Sequence, residues 1–78
     1  MTIDPDLTQR QREVAALVAG GHTDKQIAAR LGVTDRNIRV HIASVAYLLG
    51  IPGGRNTRVL IARWYYRRFP NSEIDGAA

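Results

Sequence analysis

Apolar residues in this chain recur three and four positions apart, in short runs opened by threonine and closed by glycine. Val14, Leu17 and Val18 set the first run, Ile27, Ala28 and Leu31 the second, and Ile38, Ile42, Val45 and Leu49 the third. This spacing places each set on one side of an α-helix and predicts helices over 9–19, 24–31 and 35–49. A fourth segment, 57–69, is apolar nearly all round and ends before Pro70.

The boundaries follow a shared local chemistry. Thr8, Thr23 and Thr34 each stand three residues before an amide side chain: Gln11, Gln26 and Asn37. A threonine hydroxyl can accept from the N–H three residues on while glutamine reaches back, forming a capping box; asparagine is shorter and a weaker partner. Val33 and Ile38 flank the third start as a hydrophobic staple. Gly20-Gly21, Gly32 and Gly50 stop the first three helices, since glycine readily takes the left-handed turn. "IPGGRN" (51–56) is a further break, with Asn56 the expected cap of the fourth helix. Only Gly32 and Val33 separate the second helix from the third cap, which is the layout of a helix-turn-helix. The fold class is therefore all-α, a four-helix bundle containing a helix-turn-helix. Residues 1–6 are read as a flank, 7–69 as the domain, and 70–78 as a disordered tail too poor in apolar residues to fold alone.

The third helix carries a second stripe. At about 100° per residue, its core positions fall within about 60° of one another. Arg36, Val40, Ala43 and Tyr47 lie opposite, with Arg39 and Ser44 on the shoulders. An ordinary solvated face would hold more Glu, Lys and Gln. Two arginines near the N-terminal end, followed by small and apolar groups, suit a helix entering the major groove. Arginine can pair with guanine O6 and N7, and Val or Ala can touch a thymine methyl. A surface helix with scattered arginines is the plain alternative.

Charge distribution supports the first reading. The net charge is +4, but residues 10–68 contain all eleven basic residues against Glu13, Asp24 and Asp35, a net of +8. Acidic flanks supply the difference, so a basic body faces a polyanionic partner. With 78 residues and no cysteine, one small core must form without disulfides or thiolate metal sites. No apolar run approaches the roughly 18–20 residues that span a bilayer. The polar, acidic start does not resemble a signal peptide, which predicts a cytoplasmic protein, nucleoid-associated when bound to DNA.

The stretch "LTQRQREVAALVAGGHTDKQIAARLGVTDRNIRVHIASVAYLLGI" resembles the LuxR/GerE-type (NarL-like) DNA-binding domain. That family reads approximately L-T-x-R-E-x-E-V-L-x-L-x-A-x-G, then S-N-K-E-I-A-x-x-L, then S-x-x-T-V-K-x-H-x-x-x-I-x-x-K-L-G. Here Leu7 to Gly20, Thr23 to Leu31 and Thr34 to Gly50 match, and "RNTRVLIA" (55–62) resembles the fourth-helix pattern R-T-x-A-V-x-x-A. The resemblance implies a double-stranded DNA partner, with the third helix in the major groove and the fourth forming a homodimer contact. It assigns base reading to Arg39, Val40 and Ala43; the outer stripe adds Arg36 and Tyr47 as outer contacts. The resemblance assigns backbone contacts to Lys25 and Thr34, to which we add Arg55. The chain departs from the pattern at Gln11 (usually glutamate), Ala43 (often basic or polar), Leu48 (usually lysine) and Arg58 (commonly alanine), and its "IPGGR" connection is one residue longer. Read as a stand-alone chain, it lacks the receiver or ligand-binding domain usual in the family.

Other chemistry is weaker. His41, at the edge of the core stripe, is expected to be a hydrogen-bonded structural residue, and His22 a simple loop residue. Neither belongs to a metal-ligating or catalytic grouping, so no metal, cofactor, small-molecule ligand or enzymatic activity is expected. In the fourth helix, Val59, Ala62 and Tyr66 are expected to face the core, leaving Leu60, Ile61, Trp64 and Tyr65 as a dimer patch. The leading expectation is a sequence-specific, homodimeric transcription regulator. The alternatives are an interaction module of the same fold that docks another regulator or RNA polymerase, and a sigma-factor-like promoter-element reader.

Overall fold

A computed structural model describes residues 7–70. Four helices follow in order: α1 (Gln9–Ala19), α2 (Asp24–Leu31), α3 (Asp35–Leu49) and α4 (Thr57–Arg68). The described residues contain no strand. The flank 1–6 and the tail 71–78 lie outside the described residues, so the expectation of a disordered tail is not addressed there.

The threonine grammar acts as the spacing predicts. Thr8 and Thr23 form full capping boxes with Gln11 and Gln26, each with a return bond of 2.9 Å from the threonine N–H to the glutamine Oε1. Thr34 accepts from the Asn37 N–H at 3.0 Å, without the return bond that the longer glutamine makes. At the other ends, the N–H groups of His22, Val33 and Ile51 reach back five residues to Leu17, Ala28 and Ala46. This closing pattern requires the intervening residue to turn left-handed, and Gly32 and Gly50 do so at φ 70° and 71°. The fourth start differs from expectation. Asn56 makes no side-chain cap bond; instead the Thr57 hydroxyl is shared between the carbonyls of Pro52 and Gly54 at 3.1 and 2.9 Å.

The core is one cluster with side chains from all four helices. Val14, Ala15 and Val18 of α1 meet Ile27 and Ala28 of α2, Ile38, Ile42, Val45 and Ala46 of α3, and Ile61 of α4. Ile27, Ile38, Ile61, Val14 and Val45 are fully buried. Each contributes about 1.5–3 kcal/mol by leaving water. α4 packs mainly on α1, whereas α3 rests on both α1 and α2. That arrangement covers the inner side of α3 and leaves its outer side open.

Helix α4 reverses the face that the sequence suggested. Ile61, placed in the dimer patch, is 1% exposed and belongs to the core, while Val59 is 57% and Tyr66 43% exposed. Trp64 and Tyr65 pack against the same core and are half-buried. A helix apolar on every side carries no periodic signal of which side turns inward, and packing on α1 decides it. The Tyr66 hydroxyl donates to the Ala19 carbonyl at 2.9 Å, which holds the end of α4 against the end of α1.

Candidate nucleic-acid interface

The outer side of α3 is presented without obstruction. Arg36, Arg39 and Ala43 are exposed, Val40 is 57% exposed and Tyr47 84% exposed. These are the residues the stripe singled out, and Ile38, Ile42 and Val45 on the reverse side anchor the helix beneath them. Leu48 extends the same surface as an exposed apolar side chain where the family pattern has a lysine. Exposed large apolar groups of this kind lose free energy in water unless a partner covers them.

Two depressions flank the stripe. An open cleft of about 580 Å³ is lined by Arg39, Ala43 and Tyr47 together with Gly54, Thr57 and Arg58. A shallower one, of about 480 Å³, lies among Gln11, Val40, Ser44, Tyr47 and Leu48. The α3–α4 connection and the start of α1 therefore border the exposed ridge on its two flanks.

Lys25, Thr34 and Arg55 are also exposed. Lys25 stands in the first turn of α2, and Thr34 caps α3. Unpaired N–H groups and the helix dipole make both positions favourable for an anion. Among the described residues, Lys25, Arg36, Arg39 and Arg55 have no ion-pair partner, so their charge remains available. By contrast Arg10 pairs with Glu13 at 3.2 Å and Arg58 with Asp24 at 2.5 Å.

The two histidines differ from expectation in burial and bonding, not in the placement of His22 in a loop. His22 lies in the α1–α2 loop but is buried, and its Nδ1 bonds to the Leu17 carbonyl at 3.1 Å. A carbonyl oxygen only accepts, so the ring proton sits on Nδ1 in this contact. His41 is half-buried and its ring makes no hydrogen bond to another described residue, so the hydrogen-bonded histidine is His22. The sequence also gave no sign of the Arg58–Asp24 bridge, whose members are 34 residues apart.

Of the expected α4 patch, Leu60 and Trp64 border a smaller groove of about 220 Å³ with Leu49, Ile51, Arg63 and Arg67. Ile61 is withdrawn from such a contact by its burial, and Tyr65 lies half-covered against the core and meets the Phe69 ring at a tilt of 44°, 4.9 Å between ring centres. Among the described residues, no group of three or more His, Cys, Asp or Glu side chains is arranged to hold a metal ion. No helix among them is long and apolar enough to cross a membrane.

Residues 5–60 match the family model described as bacterial regulatory proteins, luxR family. The spore germination protein GerE of Bacillus subtilis is 36% identical over 59 residues, covering 76% of this chain and 80% of that protein. The transcriptional regulatory protein UhpA of Escherichia coli is 44% identical over 48 residues, covering 62% of this chain and 24% of UhpA. The probable transcriptional regulatory protein SgaR of Hyphomicrobium methylovorum is 40% identical over 45 residues, covering 58% of this chain and 21% of SgaR. The match thus spans most of GerE and less than a quarter of the length of UhpA and SgaR. No solved structure matches significantly. The family match ends at residue 60, so it includes the start of α4 but not Ile61, Trp64 or Tyr65.

Proposed function

The chain belongs to the luxR family of bacterial regulatory proteins, and from that premise we infer that it is a sequence-specific, double-stranded DNA-binding transcription regulator acting as a homodimer. The observation that carries this reading is the outer side of α3: two exposed arginines near its N-terminal end, with no ion-pair partner among the described residues, then exposed Val40, Ala43 and Tyr47. In the major groove the N-terminal part of a recognition helix lies nearest the base edges. Arg39 would donate its planar pair of N–H groups to a guanine, and Val40 and Ala43 would sit against thymine methyls or exclude water beside them. Arg36 and Tyr47 would make the outer contacts. Lys25, Thr34 and Arg55 would fix register through phosphates, which carry no sequence information but set orientation.

Binding of this type works by position and charge, with no bond made or broken in the partner. A second copy related by a two-fold axis would place two α3 helices in successive turns of the groove, so the DNA site would be two-fold symmetric. Leu60 and Trp64, beside Arg63 and Arg67 along one groove, and half-buried Tyr65 remain the candidates on α4 for that contact.

A second reading, docking onto another regulator or RNA polymerase, draws support from Val40, Tyr47 and Leu48, which form an exposed surface more apolar than a phosphate-binding face needs. Selection of bound sites from random duplex DNA separates the two. The expected result is a two-fold symmetric motif, with Arg39→Ala relaxing one base position in each half-site at a cost of about 1–3 kcal/mol. Absence of any motif at low salt would overturn sequence reading and leave the docking function.

A further inference from the structure

Helix α4 is tied to the start of α2 by a single side chain. Arg58, in the first turn of α4, donates through Nη1 to the Asp24 carboxylate and through Nη2 to the His22 carbonyl. These two acceptors bracket Thr23, the cap of α2, and immediately precede Lys25. His22 is held from the other side as well, because its backbone N–H and its ring Nδ1 both bond to the Leu17 carbonyl at 3.1 Å. The segment from His22 to Asp24, which leads directly into Lys25, is therefore gripped between the last turn of α1 and the first turn of α4. The same guanidinium lines the cleft that Arg39 and Tyr47 border, so it stands between the start of α2 and the outer side of α3.

We propose that Arg58 is a positioning residue for DNA binding, fixing the start of α2 so that Lys25 meets a phosphate in register with α3. The proposal rests on the reading of Lys25 as a backbone contact. A guanidinium suits the role because its planar fork donates along two set directions, to a carboxylate and a carbonyl at once. A lysine ammonium would carry the same charge without that fixed geometry. The bridge also engages Asp24, the acidic residue next to Lys25, so its charge is balanced within the protein.

Charge and position make opposite predictions for Asp24, which gives a decisive test. Binding to a random-sequence duplex is titrated at fixed low salt for the intact chain and for Arg58→Ala, Arg58→Lys, Asp24→Ala, Lys25→Ala and the Arg58→Ala/Lys25→Ala pair. Far-UV circular dichroism at the assay temperature confirms that each is folded. Positioning predicts that Arg58→Ala and Asp24→Ala each weaken binding by about five- to tenfold, the scale expected of residues acting through another. Arg58→Lys does not restore it, and Lys25→Ala costs less than about twofold once Arg58 is gone, because the two act as one unit. If Arg58→Ala does not fold, the cycle is run with Asp24→Ala instead. Asp24→Ala binding as tightly as the intact chain, or more tightly, overturns the proposal, since removing a negative charge near DNA favours binding by charge alone. Full additivity of the Arg58 and Lys25 losses also overturns it, and makes Arg58 a phosphate contact or a purely structural residue. A Lys25→Ala variant that binds normally refutes the backbone reading itself, and the proposal with it.

Discussion

Replacing Ile61 with alanine tests the packing of α4 most directly. Ile61 is 1% exposed and is the one side chain that α4 buries completely. The substitution removes three carbons, worth about 0.8 kcal/mol each by transfer from water. The cavity left behind adds to this, because neighbours on α1 and α3 close over it only in part, and an Ile→Ala loss of about 2–5 kcal/mol follows. Against that stands a total stability of only about 0.05–0.15 kcal/mol per residue, or roughly 3–10 kcal/mol for the folded domain. A loss near 3 kcal/mol would take a third or more of it. Each kcal/mol lowers Tm by about 4–8 °C in a domain this small, so Tm should fall by about 12–24 °C.

Urea unfolding followed by far-UV circular dichroism, run at two well-separated protein concentrations, measures the effect. The expected outcome is a large drop in midpoint, equal at both concentrations, with little change in slope. A side chain in a dimer interface would behave differently, since the drop between intact chain and variant would then shrink on dilution. A loss below about 1 kcal/mol, the average for any substitution, would refute burial of Ile61 in its own core. A drop that shrinks on dilution would return it to the interface.

Three further variants are read by urea unfolding, the last with sedimentation beside it. Gly50 has φ 71° with no atom within 4 Å of an added Cβ, so Gly50→Ala should cost about 1–2 kcal/mol through left-handed strain alone. Gly53, equally open but without a positive φ, should accept alanine with no loss or a gain of about 0.4–1 kcal/mol, and the reverse order of the two variants would refute the argument. Leu60→Glu, on the half-covered groove beside Trp64, should shift sedimentation toward the monomer while leaving the urea midpoint within about 0.5 kcal/mol at dilution; unchanged association would remove this groove as the self-contact.

What the sequence carried and what it withheld divide along the range of the forces involved. The helix starts at Gln9, Asp24 and Asp35 were legible because a threonine cap acts over three residues, and the stops because a left-handed glycine closes the turn beside it. The inner and outer sides of α3 were legible because its apolar and polar positions follow a strict period. Nothing local distinguished the sides of α4, where apolar groups occur all round, so the burial of Ile61 depended on α1. The same holds for His22, whose burial comes from the chain folding back onto Leu17, and for Arg58, whose acceptors lie 34 and 36 residues away. The long-range contacts also bear on the departures from the family pattern. Arg58 replaces a common alanine with a bridge that engages Asp24, so the acidic residue beside Lys25 is balanced within the protein. Leu48, by contrast, brings an exposed apolar group with no such internal use. On the proposed reading, a chain with leucine at 48, and with Lys25, Arg36, Arg39 and Arg55 free of ion pairs among the described residues, would draw its DNA affinity from those exposed charges. The Arg58 bridge, which fixes the start of α2 beside Lys25, would then bear on affinity alongside their number.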